Sequence, residues 1–424
     1  MTYMMLKTTA FVVLLLAAFG CYAEEAESEP GKVASFVGTL PPDVVMEAEK
    51  TDPYGIYPMD WVISPKGPVP IRREGPDGPT YQEGVGYKFF INGMKFPRIV
   101  RLDDGRLILS TSASLHPGYI EDPIRYTMDG IILYSSDEGE TWSHPEMRDH
   151  WGFMVNLGGD KVLDFGYGQK IGMSHDGGRT WGDYNPIPPL PDGTPTYHHG
   201  TVLVEGDVIS AIYFYPRKSE DGWGGGSVLR RSSDGGKTWP ENFFLPKEWR
   251  TSEGSLTRAK DGALVAVLRT GQRPGFEEYS DHWRRITTAR SMDNGKTWTD
   301  HQVHFRYGKV HAKLLNLPNG DILMTYIARI GELDGLTYHG TEAVVSRDHG
   351  KTWDWEHRYI LFRWHTQQMH SPDSVLLSDG RILTIFQHDD SASWNNREGA
   401  WNSGKWKGGM NLVGNVSVVI WSPK

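Results

Sequence analysis

The chain has 424 residues, with 44 Lys plus Arg against 53 Asp plus Glu and a formal charge of −9. That balance excludes the broad basic surface that non-specific nucleic-acid binding needs. An apolar fraction of 38% excludes a polytopic membrane protein, and 49 Gly, 26 Pro and 16 Trp point to many turns between aromatic-rich strands, an all-β chain.

In chain order, the first element is a targeting segment. Lys7 precedes the unbroken apolar run Ala10–Phe19, which suits a secretory signal peptide and is too short to span a membrane. Residues 1–23 are read as this signal, with cleavage after Ala23. The alternative is cleavage before Cys21 with lipid attached there, since Ala18-Phe19-Gly20-Cys21 partly matches a bacterial lipobox. Either route exports the working domain, to the periplasm, the medium or a lipid-anchored place at the cell surface. Cys21 is the single Cys, so no intramolecular disulfide and no Cys-based metal site can form. Residues 24–85 read as a linker and an extension that packs on the main domain, residues 86–424.

The main domain is built on a repeat. Five segments read Ser-x-Asp-x-Gly-x-Thr-Trp, around Asp137, Asp176, Asp234, Asp293 and Asp348, at intervals of 39, 58, 59 and 55 residues. Four strands with their turns fit that spacing. The motif is a folding device: Ser and Asp accept backbone N–H bonds across a tight turn, Gly takes a positive φ, and Trp packs into the seam between units. A second turn lies upstream in each unit, at Gly105, Gly159, Gly206, Gly262, Gly320 and Gly380, each followed by an apolar strand. Six such units in a ring predict a six-bladed β-propeller, with a strand near Tyr87–Ile91 completing the last blade.

In a propeller the first strand of each blade lines the centre. Nine residues before each turn glycine stand Phe96, His150, Tyr197, Glu253, His311 and Ser371, a ring of mostly polar side chains that reads as a pocket. Arg98, Arg269, Arg329 and Arg363 lie near strand ends facing the same cavity. A buried Arg needs a carboxylate partner or an anionic ligand. Glu253 is on the strand beside Arg269 and can pair with it, either as a structural ion pair or as part of an acid–base, anion-binding site.

These motifs resemble the Asp-box (BNR repeat) proteins, and especially the exo-α-sialidases, over about residues 90–424. The resemblance implies a glycosidase that removes a terminal anionic sugar, works as a monomer and uses no cofactor. It implies Arg98, in Phe96-Pro97-Arg98-Ile99-Val100, as the first of three Arg residues gripping a substrate carboxylate. Glu253 and Arg269, sixteen residues apart, match the family's Glu and second Arg. Asp122 takes the place of the acid/base, with Glu121 as alternate, and Arg329 or Arg363 that of the third Arg. Two features depart from the family. Pro97 and Val100 interrupt the first motif, and Ser371 stands where the family has its nucleophilic Tyr, leaving Tyr197 as the candidate phenol.

Two other functions compete. His150, Tyr197, His198, His199, His311 and His370 suit the base and acid of a lyase acting on uronic acid polymers. Aromatics such as Trp223, Trp364 and Trp401 suit a glycan-binding propeller without turnover. A metal site would draw on His198 and His199 with His150 or His311. Adjacent strand residues point to opposite faces, so both cannot bind one ion, and no metal is expected.

Overall fold

Runs of Val, Ile and Leu bounded by Asp-Gly and Asn-Gly turns form antiparallel strands that follow one another in sequence order. The computed structural model describes residues 49–50, 60–63, 67–91, 94–113, 130–143, 146–148, 152–166, 170–215, 218–219, 222–223, 226–270, 284–333, 336–364, 369–389 and 414–424. The targeting segment with Cys21, Glu121 and Asp122, His150 and Trp401 lie outside these residues, as do the side chains of Trp223, Trp364 and His370. Among the described residues no helix is long and apolar enough to cross a membrane.

Unit one comprises Met94–Arg101, Leu107–Ala113, Gly130–Ser135 and Glu146–Arg148; unit two comprises Gly152–Gly158, Lys161–Gly166, Lys170–Ser174 and Gly182–Pro186. In unit three the first strand is split into Tyr197–His198 and Leu203–Glu205, both paired with Val208–Tyr215, and followed by Gly226–Ser232 and Glu241–Phe244. Unit four comprises Thr251–Arg258, Leu264–Thr270, Ile286–Ser291 and Thr299–His304. These four are separate sheets.

The sequence reading expects six separate blades, and the hydrogen bonding does not give them. The fifth meander (Lys309–Asn316, Ile322–Leu333, Leu336–Ser346, Tyr359–Trp364) and the sixth (Met369–Leu376, Ile382–Asp389, Gly414–Trp421) belong to one 11-stranded sheet. The cause is the extension. Thr80–Ile91 pairs with Gly414–Trp421, and Gly67–Arg73 pairs with both Thr80–Ile91 and the edge strand at Tyr359 and Ile360. One hairpin thus covers two sheet edges that would otherwise offer unpaired backbone groups. The expected boundary between residues 85 and 86 falls inside the strand Thr80–Ile91.

The apolar core is divided into seams. Leu107, Leu109 and Leu133 of unit one meet Leu383, Ile385 and Val418 of the sixth meander, which joins the end of the chain to the start of the ring. Units one and two meet through Ile108 and Val162, and units two and three through Leu163, Phe165 and Tyr213. Units three and four share Leu229 and Leu264, unit four meets the fifth meander through Val265 and Met324, and the fifth meets the sixth through Leu323 and Phe386. The motif Trp residues lie in these seams: Trp142, Trp181, Trp239, Trp298 and Trp353, one in each of five. The turn beside each follows the expected physics. In the first copy, Asp137 Oδ1 accepts from Thr141 N at 2.8 Å, its Oδ2 accepts from Thr141 Oγ1 at 2.5 Å, and Ser135 Oγ accepts from Gly139 N at 2.7 Å. Gly139 has φ +91°, where a side chain would be strained.

Candidate functional site at the ring centre

The innermost strands do not run straight through the centre. In four of them the register jumps by one extra residue early in the strand: between Lys95 and Arg98, Thr251 and Gly254, Val310 and Lys313, and His370 and Asp373. Each jump is a β-bulge, which bends the strand and re-aims its side chains. Phe96, His311 and Ser371 take positive φ values of 53°, 55° and 40° there. Non-glycine residues resist that region, and such strain collects where a site needs a fixed geometry. In unit three the strand breaks after His198. Gly200 lies so close to unit four that a Cβ on it would stand 1.7 Å from the Gly254 carbonyl oxygen, so only glycine allows this approach. The approach brings His199 beside Glu253.

Glu253 is the hub. Its Oε1 accepts from Arg269 Nη1 at 2.7 Å. Its Oε2 lies 3.0 Å from His311 Nδ1 and 3.6 Å from His199 Nδ1. On the far side of His199, Nε2 lies 3.2 Å from Arg98 Nη2. Arg98 donates only, so that nitrogen is the acceptor, and the neutral ring carries its proton on Nδ1, toward Glu253. Arg98 also donates from Nη1 to the Pro97 carbonyl at 2.7 Å and stacks on Phe153, 3.8 Å from the ring centroid. Lys313 reaches the same ring, its Nζ 4.8 Å from the centroid. Asp373 closes the first unit onto the last: its Oδ2 accepts from Ile99 N at 3.2 Å and its Oδ1 from Ser374 N at 3.0 Å.

The cluster is buried, and burial sets its charges. Burial opposes the ionised form of Glu253, but Arg269, His199 and His311 outweigh it and hold the carboxyl well below the usual carboxylate range. Burial, against the pull of Glu253, lowers His311 to about 4 and drives His199 well below its ordinary value, so both imidazoles are neutral near pH 7. Burial brings Arg98 and Arg269 down to about 10, which leaves both charged. Lys313 is lowered to about 7 by burial and by Arg98, against Asp373 and Glu253. Asp373 is raised by burial, against Arg98 and Lys313.

Of the residues singled out from sequence, Arg98, Glu253, Arg269 and His311 come together, and the expected Glu253–Arg269 pair is formed. Arg329 is 3% exposed and close enough to act electrostatically on Arg269 and His311. Arg363 is in the outer strand of the fifth meander, paired with Gly340. Tyr197 stacks on Phe214, centroids 5.5 Å apart, with no described contact to the Glu253 cluster. His198 packs on Phe165 and Tyr213 and shares the Phe153 ring with His199. Asp122 and His150 lie outside the described residues, as does the His370 side chain.

Lys313, Asp373 and the hub role of His199 are absent from the sequence-derived site. A second alignment finds them. Seven residues before each turn glycine stand Arg98, Gly152, His199, Ser255, Lys313 and Asp373. This ring lies two residues beyond the one read from sequence, where the bulges turn the chain back inward.

His199, Glu253 and His311 also offer three ligand atoms within 4.8 Å of one another. Their edges of 3.0 and 3.6 Å suit a small cation. The charges do not: Arg98 holds the His199 proton on the nitrogen that would bind the ion, and Arg269 takes the other Glu253 oxygen.

No protein-family model matches the chain, and no curated protein matches its sequence. Solved structures do match. The fold is similar to that of a protein of unknown function from Dyadobacter fermentans, with TM-score 0.57 and 18% identity over 78% of this chain and 95% of that one. It is similar to the NanB sialidase of Streptococcus pneumoniae, with TM-score 0.53 and 15% identity over 78% and 68%. It is also similar to a Penicillium chrysogenum α-L-arabinanase solved with arabinobiose, with TM-score 0.50 and 15% identity over 83% and 98%. At such identities the likeness is one of fold: an all-β, propeller-like chain.

Proposed function

We propose that this protein is an exported, carbohydrate-active propeller enzyme, of six units counted by meanders, that takes a carboxylate-bearing sugar into its centre. The observation that carries this reading is the ionised Glu253 held by Arg269, His199 and His311, with Arg98 and Lys313 behind it. Cations exceed anions in this group, so an anionic ligand is favoured there. Two of the similar structures are named as a sialidase and an arabinanase, which supports a glycan as substrate.

The reaction proposed first is sialidase-type hydrolysis of a terminal anionic sugar. An acid must protonate the leaving oxygen, and negative charge must stabilise the cationic anomeric carbon. Glu253 supplies that charge, and Asp122 is the proposed acid. Tyr197, turned onto Phe214, is not placed to act as nucleophile beside Glu253 in this arrangement.

A second reading is favoured by one observation. His311 presents Nδ1 to Glu253 at 3.0 Å, the pairing that orients an imidazole as a general base. A neutral base beside cations that neutralise a carboxylate can remove the acidic α-proton of a uronate and expel the 4-linked sugar by elimination. Incubating the protein with a fluorogenic α-sialoside and with uronic acid polymers separates the two. Free sialic acid supports hydrolysis, an ultraviolet-absorbing unsaturated uronate supports elimination, and no product from either class counts against both.

A further inference from the structure

Arg98 and Lys313 come from different units yet flank one aromatic ring, at 3.8 and 4.8 Å from the Phe153 centroid. Both are almost wholly buried, at 1% and 3% exposure. Neither has all of its donors filled. Arg98 Nε is a buried N–H with no acceptor. Among the described residues, no carboxylate stands within ion-pair distance of Lys313 Nζ and no acceptor bonds to it; its one close contact is the Phe153 ring. The Ser371 hydroxyl, in the bulge before Asp373, is likewise buried without a partner. Asp373 does not fill the gap: it forms no ion pair with Lys313, and its oxygens accept from the backbone N–H groups of Ile99 and Ser374. Buried donors without acceptors are costly and rarely kept without use. Two cations on one ring, with donors left over, call for an acceptor with at least two oxygens.

We propose that Lys313 is a ligand of the substrate carboxylate, paired with Arg98 across Phe153, in the place that the sialidase resemblance leaves to a third arginine. This rests on the reading that the centre binds an anionic sugar, and names the residue that selects for the anion. Replacing an always-charged Arg by Lys has a consequence. The groups facing Lys313 are Arg98 from unit one, His198 and His199 from unit three, Glu253 from unit four and Asp373 from the sixth meander. Both imidazoles are neutral near pH 7, Arg98 keeps its charge, and the burial cost falls on the lysine, which loses its proton above about pH 7. A bound carboxylate pulls the proton back on. Affinity for a carboxylate therefore falls as pH rises through neutrality.

Calorimetric titration with N-acetylneuraminate and with glucuronate, each beside its methyl ester, tests this at pH 6 and pH 9. The wild type should bind at least one acid at pH 6, about tenfold more weakly at pH 9, and its ester weakly at both. Lys313→Met should bind the acid weakly at both values, and Lys313→Arg should bind it equally at both. The ester comparison and the wild-type pH dependence need no variant, and a melting curve checks that each variant is folded. Wild-type binding that Lys313→Met reproduces at pH 6 would overturn the role of Lys313 and leave the anionic-sugar reading standing. Wild-type binding of neither acid, or of acid and ester alike, would overturn both.

Discussion

Two glutamates, each the hub of an ionic cluster, sit on this fold in opposite circumstances. Glu342, in the fifth meander, is fully buried and answered on every side. Lys309 Nζ lies 2.6 Å away, Tyr326 donates at 2.5 Å, Tyr338 donates as well, and Arg358 stands at 3.7 Å. Glu253, at the ring centre, is hydrogen-bonded by Arg269 and only flanked by two imidazoles, and its surroundings are left incomplete: Arg98 Nε, the Ser371 hydroxyl and His199 Nδ1 have no hydrogen-bond partner. Both are ionic clusters among β-strands, and only one is closed. A closed cluster holds strands together. An open one, placed where four bulged strands converge, is arranged for something that arrives later.

The comparison can be broken by substitution. The largest effect is expected at the closed cluster. Glu342→Gln strands Lys309 in the core without its counter-charge and should lower stability by about 3–5 kcal/mol, read by denaturant unfolding. An unchanged midpoint would show that the closed cluster is not structural. Lys313→Met should move the other way, raising stability by about 1–4 kcal/mol at pH 6 while weakening binding of an acidic sugar, because a buried lysine without a counter-ion is replaced by an apolar chain of similar length. A loss of stability in this variant would place Lys313 with the structural residues.

A smaller effect is expected with acid. His311 titrates at about 4 in the folded chain against its ordinary 6.5. The unfolded chain therefore binds the proton first as pH falls, and stability contributed by the neutral ring is lost between pH 6.5 and about 4. His311→Gln should flatten that part of the stability-against-pH curve, and an equally steep curve in the variant would contradict the assignment. The smallest effect belongs to the surface turns. Asp176 accepts from Thr180 N and Thr180 Oγ1 at 2.8 and 2.5 Å but is largely exposed. Asp176→Ala should cost about 1 kcal/mol, with catalytic parameters unchanged.

The same contrast explains what was legible in the sequence. The Asp-box turns are local, so Ser, Asp, Gly, Thr and Trp in fixed order announce them, and the seams follow from where the Trp residues fall. Glu253 and Arg269 are legible because adjacent strands of one unit bring them together. Lys313, Asp373 and the His199 hub depend on the bulges and on the contact of Gly200 with the Gly254 carbonyl, and neither leaves a pattern of period two. The merging of the fifth and sixth meanders depends on Gly67–Arg73, whose Pro and Gly content obscures a strand that pairs on both sides. Local chemistry is written in short motifs, whereas convergence at the centre is written in the offset between distant strands.

Turnover of a carboxylate-bearing glycan by the mature protein, with wild type and Glu253→Gln side by side and their melting curves recorded, tests the central claim most directly. The account predicts product from the wild type and a rate lower by at least about 10²-fold in the variant, with both chains folded. Equal rates in the two folded proteins, or no product from any acidic glycan at high enzyme concentration, would contradict it.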